Sequence, residues 1–430
     1  MKIELLYELF LNHPAVSTDS RNIENDCLFF ALKGPNFDGN KYAADALNKG
    51  AAFSIVDDNK LPENSNFILV EDVLQTLQKL ASYHRKSLGI PILGITGSNG
   101  KTTTKELIVA ILHKKYNVSS TKGNLNNHIG VPLTLLKMNK NTDVGVVEMG
   151  ANHPGEIAEL CQIADPDFGL ITNIGKAHLE GFGSFEGVIK TKSELYKHLK
   201  QKSGSAFIHI DNEILLNQAK GIELLTYGQS EQAQLRGELQ ESAYYLTVKA
   251  LFPKGWLYLK SKLIGAYNFE NILAAARVGL HFKVDPIAIQ DAVANYSPTN
   301  NRSQLVVKGK NKIIMDAYNA NPTSMAASLS NFDAINQKGK MVILGDMLEL
   351  GNQTDFEHQN IVDIIGTMDL DKIFLVGKEF AKTSADAKIK KFDTVELLSD
   401  YLDQNKPTGI NLTLIKGSRG IKLERILETL

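Results

Sequence analysis

The stretch GITGSNGKTTTKE, residues 94–106, constrains the fold more than any other part of the chain. A short apolar run, ILGIT, leads into it, and a helical pattern, TTKELIVAILHKKY, follows it. A glycine-rich turn between a strand and a helix exposes backbone N–H groups that can surround phosphate oxygens, and the helix N-terminus adds positive potential. Gly97 and Gly100 supply the turn, Lys101 a mobile cation, and Thr102 a hydroxyl for a phosphate-bound magnesium ion. The stretch therefore predicts a phosphate-binding loop in an α/β domain.

One position departs from the common form of this loop. The pattern G-x-x-x-x-G-K-[ST] requires a glycine six residues before the lysine, and Ile95 stands there. The remaining pattern is the shorter G-x-x-G-K-T. Loops of this kind serve kinases, GTPases, motor ATPases and ligases, so the function has to be inferred from the rest of the chain.

The composition limits the class of protein. The chain has 430 residues, and at roughly 150 residues per domain about three domains are expected. The net charge of −1 without a long basic block argues against a dedicated nucleic-acid binder. No apolar stretch reaches the length of about 18 residues that spans a membrane, and the N-terminus does not resemble a secretory signal. Cys27 and Cys161 are too few for a disulfide framework, so we expect a cytoplasmic protein.

Strand and helix patterns alternate along most of the chain, which predicts an α/β fold with parallel sheets. The helical pattern VLQTLQKLASYHRKSL is broken at residues 89–91, and the pattern breaks again near Ser297 and Pro298. These breaks divide the chain into domains at 1–88, 89–297 and 298–430. In the middle domain, YYLTVKA and GWLYLKSKL indicate a β-rich insertion. In the last domain, KIIMDAY, MVILGDM, KIFLVGK and LTLIKG indicate a second, smaller α/β unit.

Several motifs together resemble one known family. TGSNGKTTT is close to the nucleotide loop of the Mur ligases, which share the G-x-x-G-K-T form, and STKGNLNNHIGVP, VVEMGANHPGEI and NIGKAHLEGFGS match further family motifs. The similarity runs from about Ser17 to Gly420. It implies an N-terminal α/β uridine-nucleotide-binding domain, a central P-loop parallel-sheet ATPase domain and a C-terminal Rossmann-like α/β domain.

The resemblance also implies the cofactors ATP and two magnesium ions. The residues implied for ATP lie in the loop, in GAYNFENIL for the adenine, at Arg302 for the terminal phosphate and at Asp316 for the ribose: Gly97, Ser98, Asn99, Gly100, Lys101, Thr102, Thr103, Asn268, Asn271, Arg302 and Asp316. The implied metal ligands are Thr102, Glu148, His178 and Lys192. An acid directly after an apolar run, such as Glu148 or Asp316, is a common ligand position in α/β folds. Lys101, Lys192, His178 and Arg302 are the implied catalytic residues.

Lys192 is the least obvious of these residues. Its pattern alone indicates one more solvated cation on an amphipathic helix. In the Mur ligases, the lysine at the matching place reacts with CO2 to form a carbamate that helps hold the second magnesium ion. That reaction requires a neutral amine, which must be shielded or have a lowered pKa. Lys190 competes for the role, and the match of K-S-E to the family's K-G-E favours Lys192.

The remaining motifs concern the substrate. The T-D-S-R stretch implies a contact of Ser20 and Arg21 with the UDP part, and further implied substrate residues are Asn124, Asn126, Asn127, Asn319, Asn321, Asp346 and Glu349. Asp346 and Glu349 are expected near the ammonium group of an incoming dipeptide. DAYNANPTSM and ILGDMLELG resemble the family member that adds D-alanyl-D-alanine to UDP-N-acetylmuramoyl-tripeptide through an acyl phosphate.

Two kinds of alternative stay open at this point. One is another Mur-type ligase or a folylpolyglutamate synthase-like ligase, which differs in its acceptor. The other is a regulatory P-loop switch, which would not need Glu148, His178 and Lys192 as a metal set. We expect a monomer without nucleic-acid partners and a hinge closure on ligand binding, because Arg302 and Asp316 lie far in sequence from the loop. The third residue of the tripeptide, lysine or diaminopimelate, has no readable motif.

Overall fold

The first region of the chain folds around a small parallel sheet. The computed structural model describes residues 1–240, 244–299 and 302–430. The sheet has the order β1-β2-β5-β6, and β3 and β4 form a short antiparallel pair beside it. The elements are α1 Ile3–Asn12, β1 Val16–Ser17, β2 Leu28–Phe30, β3 Lys33–Gly34, β4 Phe37–Asp38, α2 Ala43–Asn48, β5 Phe53–Val56, β6 Phe67–Leu69 and α3 Val73–Leu88.

Helix α3 connects this region to the next one, and its predicted span is confirmed. It begins after Asp72, whose carboxylate accepts a hydrogen bond from the Gln75 N–H, and ends at Gly89 in the left-handed conformation that glycine adopts easily. Leu77 and Leu80 on its buried face belong to one hydrophobic core with residues of both regions. The first region is therefore packed firmly against the second.

The central region is built on a long sheet of the order β15-β14-β13-β12-β11-β10-β7-β9-β8. Its pairings are parallel from β8 to β13 and antiparallel from β13 to β15. The elements are β7 Ile92–Thr96, α4 Lys101–Leu112, β8 Val118–Ser120, α5 Gly130–Leu136, β9 Val144–Glu148, α6 Glu156–Ala164, β10 Phe168–Ile171, α7 Leu179–Phe182, α8 Phe185–Lys192, α9 Glu194–Lys202, β11 Ser205–His209, α10 Glu213–Gln218, β12 Glu223–Gly228, β13 Leu235–Gln240, β14 Tyr245–Phe252, β15 Gly255–Ile264, α11 Asn268–His281 and α12 Pro286–Asn295.

The structure differs from the sequence-based expectation at β14 and β15. These strands were predicted as a β-rich insertion, but they extend the central sheet itself. The extension is possible because β13 pairs with β12 at Tyr227 and Leu235 and then pairs along its length with β14.

The third region has a sheet of the order β16-β17-β21-β18-β19-β20, parallel except for the β16–β17 hairpin. Asp316 and Lys416 lie side by side at the carboxyl ends of β17 and β21. Hydrophobic clusters cover both faces. The elements are β16 Gln304–Lys308, β17 Asn311–Asp316, α13 Pro322–Ala334, β18 Lys340–Gly345, α14 Thr354–Gly366, β19 Lys372–Val376, α15 Lys378–Lys382, β20 Ile389–Phe392, α16 Val395–Gln404 and β21 Leu412–Lys416.

The α/β class with parallel sheets is confirmed. The domain boundaries at 88/89 and 297/298 fall between the sheets but stay a prediction. Among the described helices, none combines the length and apolar character that a membrane crossing requires.

Candidate active site

The predicted phosphate loop joins β7 to α4. Gly97 and Gly100 have positive φ angles of 140° and 79°. A Cβ atom on Gly97 would lie 2.1 Å from Thr172 Oγ1, and one on Gly100 would lie 2.7 Å from Asn271 Oδ1. Both positions therefore require glycine for conformation and for space.

Asn99, in the middle of the loop, is fixed by residues that the sequence analysis missed. Its N–H donates to Asn173 Oδ1 at 3.0 Å, and its carbonyl accepts from Thr172 Oγ1 at 2.6 Å. Thr172 and Asn173 follow the apolar run at the carboxyl end of β10, next to β7, and that position was the available signal. Residues at the end of the neighbouring strand β10 therefore hold the loop in its conformation before any ligand binds.

Lys101 folds back onto the loop. Its Nζ donates to the carbonyls of Gly97 at 2.7 Å and Ser98 at 3.2 Å. Burial lowers the pKa of Lys101 to about 8, against the attraction of Glu148 and with a further lowering by Arg302. Phosphate oxygens would replace these carbonyls as acceptors and would restore the ordinary preference for the charged form.

Glu148 ends β9 beside the loop and is only 2% exposed. Its carboxylate accepts from Thr102 Oγ1 and from Asn126 Nδ2, each at 3.0 Å. Lys105 Nζ lies 3.8 Å from Glu148 Oε2 and was also missed, although it stands one helical turn after Lys101. A buried carboxylate bonded to a threonine hydroxyl suits magnesium, which prefers hard oxygen ligands.

His178 and Lys192, the other metal ligands expected from the sequence, stay predictions. Across residues 1–240, 244–299 and 302–430, no group of three or more His, Cys, Asp or Glu side chains is arranged to hold a metal ion. An ion at Thr102 and Glu148 would therefore take its remaining ligands from the nucleotide and from water, as magnesium commonly does.

Lys192 lies at the end of α8 and is 2% exposed, whereas Lys190 is exposed. The Lys192 Nζ lies 3.4 Å from the Ala151 carbonyl and 5.3 Å from the centre of the Phe182 ring. Burial, with a further contribution from Lys101, holds the pKa of Lys192 well below its ordinary value. The pattern gave no sign of this burial.

His178 and Glu349 are paired with each other. The His178 Nδ1 contacts the Glu349 carboxylate, and this hydrogen bond lowers the pKa of Glu349. The Glu180 N–H also donates to the Glu349 carbonyl at 3.3 Å. Glu349 thus joins the third region to the central region, and its carboxylate contacts a histidine where a dipeptide ammonium was expected.

Asp346 is held by the start of a helix in the third region. Its buried carboxylate accepts hydrogen bonds from the Glu379 and Phe380 N–H groups at 2.9 Å each, at the start of α15. Each carboxylate oxygen thus accepts one N–H of this helix, and the role of Asp346 in orienting an ammonium group stays a prediction. An acid at a strand end can cap a helix as well as bind a ligand.

A cleft of about 610 Å³ lies between the central and third regions. Its lining includes most of the predicted site residues: Ser98, Asn99, Gly100, Lys101, Thr102, Thr103, Asn124, Asn126, Asn127, Glu148, His178, Asn268, Asn271, Arg302, Asp316 and Asn319. Ser20 and Arg21 lie elsewhere, on the first region, where the Arg21 guanidinium pairs with Asp19 at 2.7 Å.

Asparagine side chains brace this cleft. The Asn271 amide oxygen accepts a hydrogen bond from Thr104 Oγ1 at 3.0 Å, and this bond connects α11 to α4. Within α11, the Asn271 Nδ2 donates to Asn268 Oδ1 at 2.8 Å. Asn127 Oδ1 accepts from the Gly130 N–H at 2.9 Å. Asn321 Nδ2 donates to Asn99 Oδ1 at 2.8 Å, across the two regions.

The third region contributes charged groups. The Arg302 guanidinium lies 3.7 Å from the centre of the Tyr318 ring, and its buried Nε has no hydrogen-bond partner among the residues that the structure describes. Such an unsatisfied donor suits an anionic ligand. Asp316 pairs with Lys416, which the sequence analysis missed although it ends the apolar run LTLI.

This geometry defines a class: a P-loop nucleotide-binding α/β protein whose cleft is completed by a following α/β domain. Family models match it along its length: "Mur ligase family, catalytic domain" at residues 14–85, "Mur ligase middle domain" at 95–279 and "Mur ligase, glutamate ligase domain" at 301–419. A UDP-N-acetylmuramoyl-tripeptide--D-alanyl-D-alanine ligase of Bacillus subtilis (strain 168) is 37% identical over 440 residues, covering 99% of this chain and 94% of that protein. The chain belongs to the Mur ligase family.

Solved structures agree with this assignment. The MurF ligase from Thermotoga maritima in complex with ADP superposes with a TM-score of 0.86 at 28% identity, covering 97% of each chain. MurF from Acinetobacter baumannii superposes with a TM-score of 0.85 at 30% identity, covering 96% of this chain and 92% of that one. The family predicted from the motifs is thus confirmed.

Proposed function

We propose that this chain is an ATP-dependent amide-bond ligase that adds D-alanyl-D-alanine to UDP-N-acetylmuramoyl-tripeptide, a step in peptidoglycan precursor synthesis. The observation that carries the proposal is the composition of the cleft. The phosphate loop, Glu148 and the nearby Lys192 come from the central region, and Arg302 comes from the third. Relatives that match 99% and 97% of this chain carry this activity in their names.

The chemistry explains why a ligase needs ATP. A carboxylate does not acylate an amine at neutral pH because its leaving group is poor. The terminal carboxylate of the tripeptide attacks the γ-phosphorus of ATP, ADP leaves, and an acyl phosphate forms. The neutral amine of the dipeptide then attacks the acyl carbon, the ammonium proton is lost, and inorganic phosphate leaves with the former carboxylate oxygen.

The protein aligns these groups and neutralises their charge. When ATP binds, the Lys101 Nζ donates to phosphate oxygens instead of the loop carbonyls. The Arg302 Nε donates to an oxygen of the γ-phosphate that is transferred. Asn99 is held from both regions, by Asn173 and Asn321, so the loop keeps one geometry as the reactants bind. Asp316 and the asparagines that line the cleft take the ribose, adenine and substrate roles that the motifs predict.

Thr102 and Glu148 would hold a magnesium ion, because a threonine hydroxyl and a buried carboxylate lie within hydrogen-bond distance there. When bound, magnesium supplies positive charge to the β- and γ-phosphates. We propose His178 and Lys192 as the protein side of a second ion, which requires His178 to release Glu349.

Lys192 fits the carbamate role for a physical reason. Carbamate formation joins the neutral amine to CO2, releases one proton and leaves an anion. A buried lysine with a lowered pKa supplies the neutral amine, and the cation of Lys101 favours the product anion. The exposed Lys190 lacks this environment.

We propose that the uridine nucleotide binds to the first domain at Ser20 and Arg21. We propose that the enzyme acts as a monomer in the cytoplasm, where ATP is available, and that domain closure brings this substrate to the cleft.

The proposal is tested by acceptor-dependent phosphate release. Purified enzyme with ATP, magnesium and either UDP-tripeptide should release phosphate with D-alanyl-D-alanine and not with single amino acids or glutamate. Release with glutamate alone would favour a folylpolyglutamate synthase-like ligase. Nucleotide binding without release under any of these conditions would favour a regulatory switch.

A further inference from the structure

The aromatic ring of Tyr318 faces guanidinium groups from separate loops. The Arg302 Cζ lies 3.7 Å from the ring centre and the Arg419 Cζ lies 5.4 Å from it. Tyr318 and Arg302 line the cleft, and Arg419 stands exposed beside them. The motif K-G-S-R-G that contains Arg419 has no role in the function described so far.

The backbone that carries Arg419 is held firmly. A Cβ atom on Gly417 would lie 2.9 Å from the Gly345 Cα, so the ends of β21 and β18 are in direct contact. The Ser418 N–H donates to the Asp346 carbonyl at 3.2 Å, and Ser418 Oγ accepts from the Leu348 N–H at 3.1 Å. Arg419 therefore projects from a fixed position at the carboxyl edge of the third sheet, where α/β proteins bind ligands.

The charge of Arg419 is not balanced locally. Within the described part of the chain, no carboxylate forms an ion pair with Arg419, whereas the exposed Arg425 nearby contacts Glu396. The guanidinium groups of Arg302 and Arg419, which both lie beside the Tyr318 ring, repel each other. An anion bound beside the ring would relieve this repulsion.

We propose that Arg419, positioned on the Tyr318 ring, binds the terminal carboxylate of the incoming dipeptide. This inference rests on the proposed function. A planar guanidinium matches a carboxylate with two parallel hydrogen bonds. The carboxylate is the part of the dipeptide that does not react, so binding it there orients the amine without blocking it.

The distances allow a dipeptide to reach from Arg419 to Arg302. The separation of the two guanidinium carbons cannot exceed the sum of 3.7 Å and 5.4 Å. An extended dipeptide spans about 7 Å and one residue about 3.5 Å. A dipeptide held at Arg419 is therefore long enough to bring its amine to the acyl phosphate beside Arg302.

The test compares D-alanyl-D-alanine with its C-terminal amide in the wild type and in variants. The wild type should prefer the free acid by about 10- to 100-fold in kcat/KM. Arg419→Gln should bring this ratio close to one, mainly through the KM for the acid, with an unchanged KM for ATP. Arg419→Lys should give an intermediate ratio, because it keeps the charge without the paired geometry, and Arg425→Gln is the matched control with the wild-type ratio.

The outcomes separate this inference from the proposed function. If the wild type uses D-alanyl-D-alanine and both Arg419 variants keep its preference for the acid, the inference fails and the proposed function stands. If the wild type uses neither acceptor, both fail. An unchanged KM for ATP and an unchanged circular dichroism spectrum show that a variant is folded, and should Arg419→Gln not fold, Arg419→Lys decides by the same ratio.

Discussion

The nucleotide cleft and the Asp-Ser-Arg turn of the first domain are built differently. Glu148, which lines the cleft, and Lys192, which contacts the lining residue Ala151, are each 2% exposed. In the turn, the side chain of Arg21 is 88% exposed and pairs with Asp19, two residues away. Removing buried polar partners costs more than removing exposed ones. The cleft is therefore a preformed site, whereas the turn is formed by local, solvated contacts.

The largest effect is expected at Lys192. Lys192→Ala should lower kcat by about 10²- to 10³-fold, because it removes the negatively charged carbamate proposed at Lys192 from the reaction centre. A short carboxylic acid should restore part of the rate by occupying the space of the carbamate. Phosphate release measures both, and Lys190→Ala, which changes an exposed lysine, should keep wild-type activity. A fully active Lys192→Ala would refute the carbamate.

Nucleotide affinity should depend on pH through Lys101. Since the pKa of Lys101 in the free protein is about 8, the cation that attracts phosphate is present below this pH and is lost above it. ATP affinity should fall by up to about tenfold per pH unit above that value. Calorimetric titration from pH 7 to 9.5 measures it, and a Lys101→Met variant should bind weakly at every pH. An equally steep decline in that variant would contradict the assignment.

The hydrogen bond between Asn321 and Asn99 should contribute less. Losing it should cost about 1 kcal/mol, or roughly fivefold in kcat/KM for ATP. A double-mutant cycle of Asn321→Ala and Asn99→Ala isolates this contact, because effects of contacting residues are not additive. Additive effects would mean that the contact does not form during turnover.

The smallest effect is expected at the turn. Arg21→Ala should raise the KM for the UDP substrate by about two- to fivefold, less at high salt, because an exposed cation is screened. The KM for ATP should not change. A rise of about 100-fold or more in the KM for the UDP substrate would contradict this difference between the two regions. It would mean that the turn becomes a buried site when substrate binds.

The local features of the fold were predictable from the sequence. The loop from Gly97 to Thr102 has a short sequence motif, and its glycines are required because a side chain there would clash with neighbouring residues. Helix α3 has a capping residue and a helical periodicity of apolar residues. Glu148 and Asp316 were found because polar residues at the carboxyl ends of strands face ligands in α/β folds. The same signal was present at Thr172 and Lys416, which were passed over.

Contacts between distant segments were not predictable from local patterns. The burial of Lys192 depends on Ala151 and Phe182, and its sequence periodicity is that of a solvated helix. Asp346 appeared equivalent to Asp316 by position, yet it caps α15, which begins 32 residues later at Lys378. The pairing of Asn99 with Asn321 arises only when two domains meet.

The central claim is that the γ-phosphate of ATP is transferred to a substrate carboxylate in this cleft. The most direct measurement uses UDP-tripeptide labelled with ¹⁸O in its terminal carboxylate and follows the label by mass spectrometry of the released phosphate. We predict that one ¹⁸O atom from each labelled carboxylate that reacts is found in inorganic phosphate, because the acyl–oxygen bond breaks when the amine attacks. Phosphate that carries no ¹⁸O while the amide product forms would contradict the acyl phosphate mechanism.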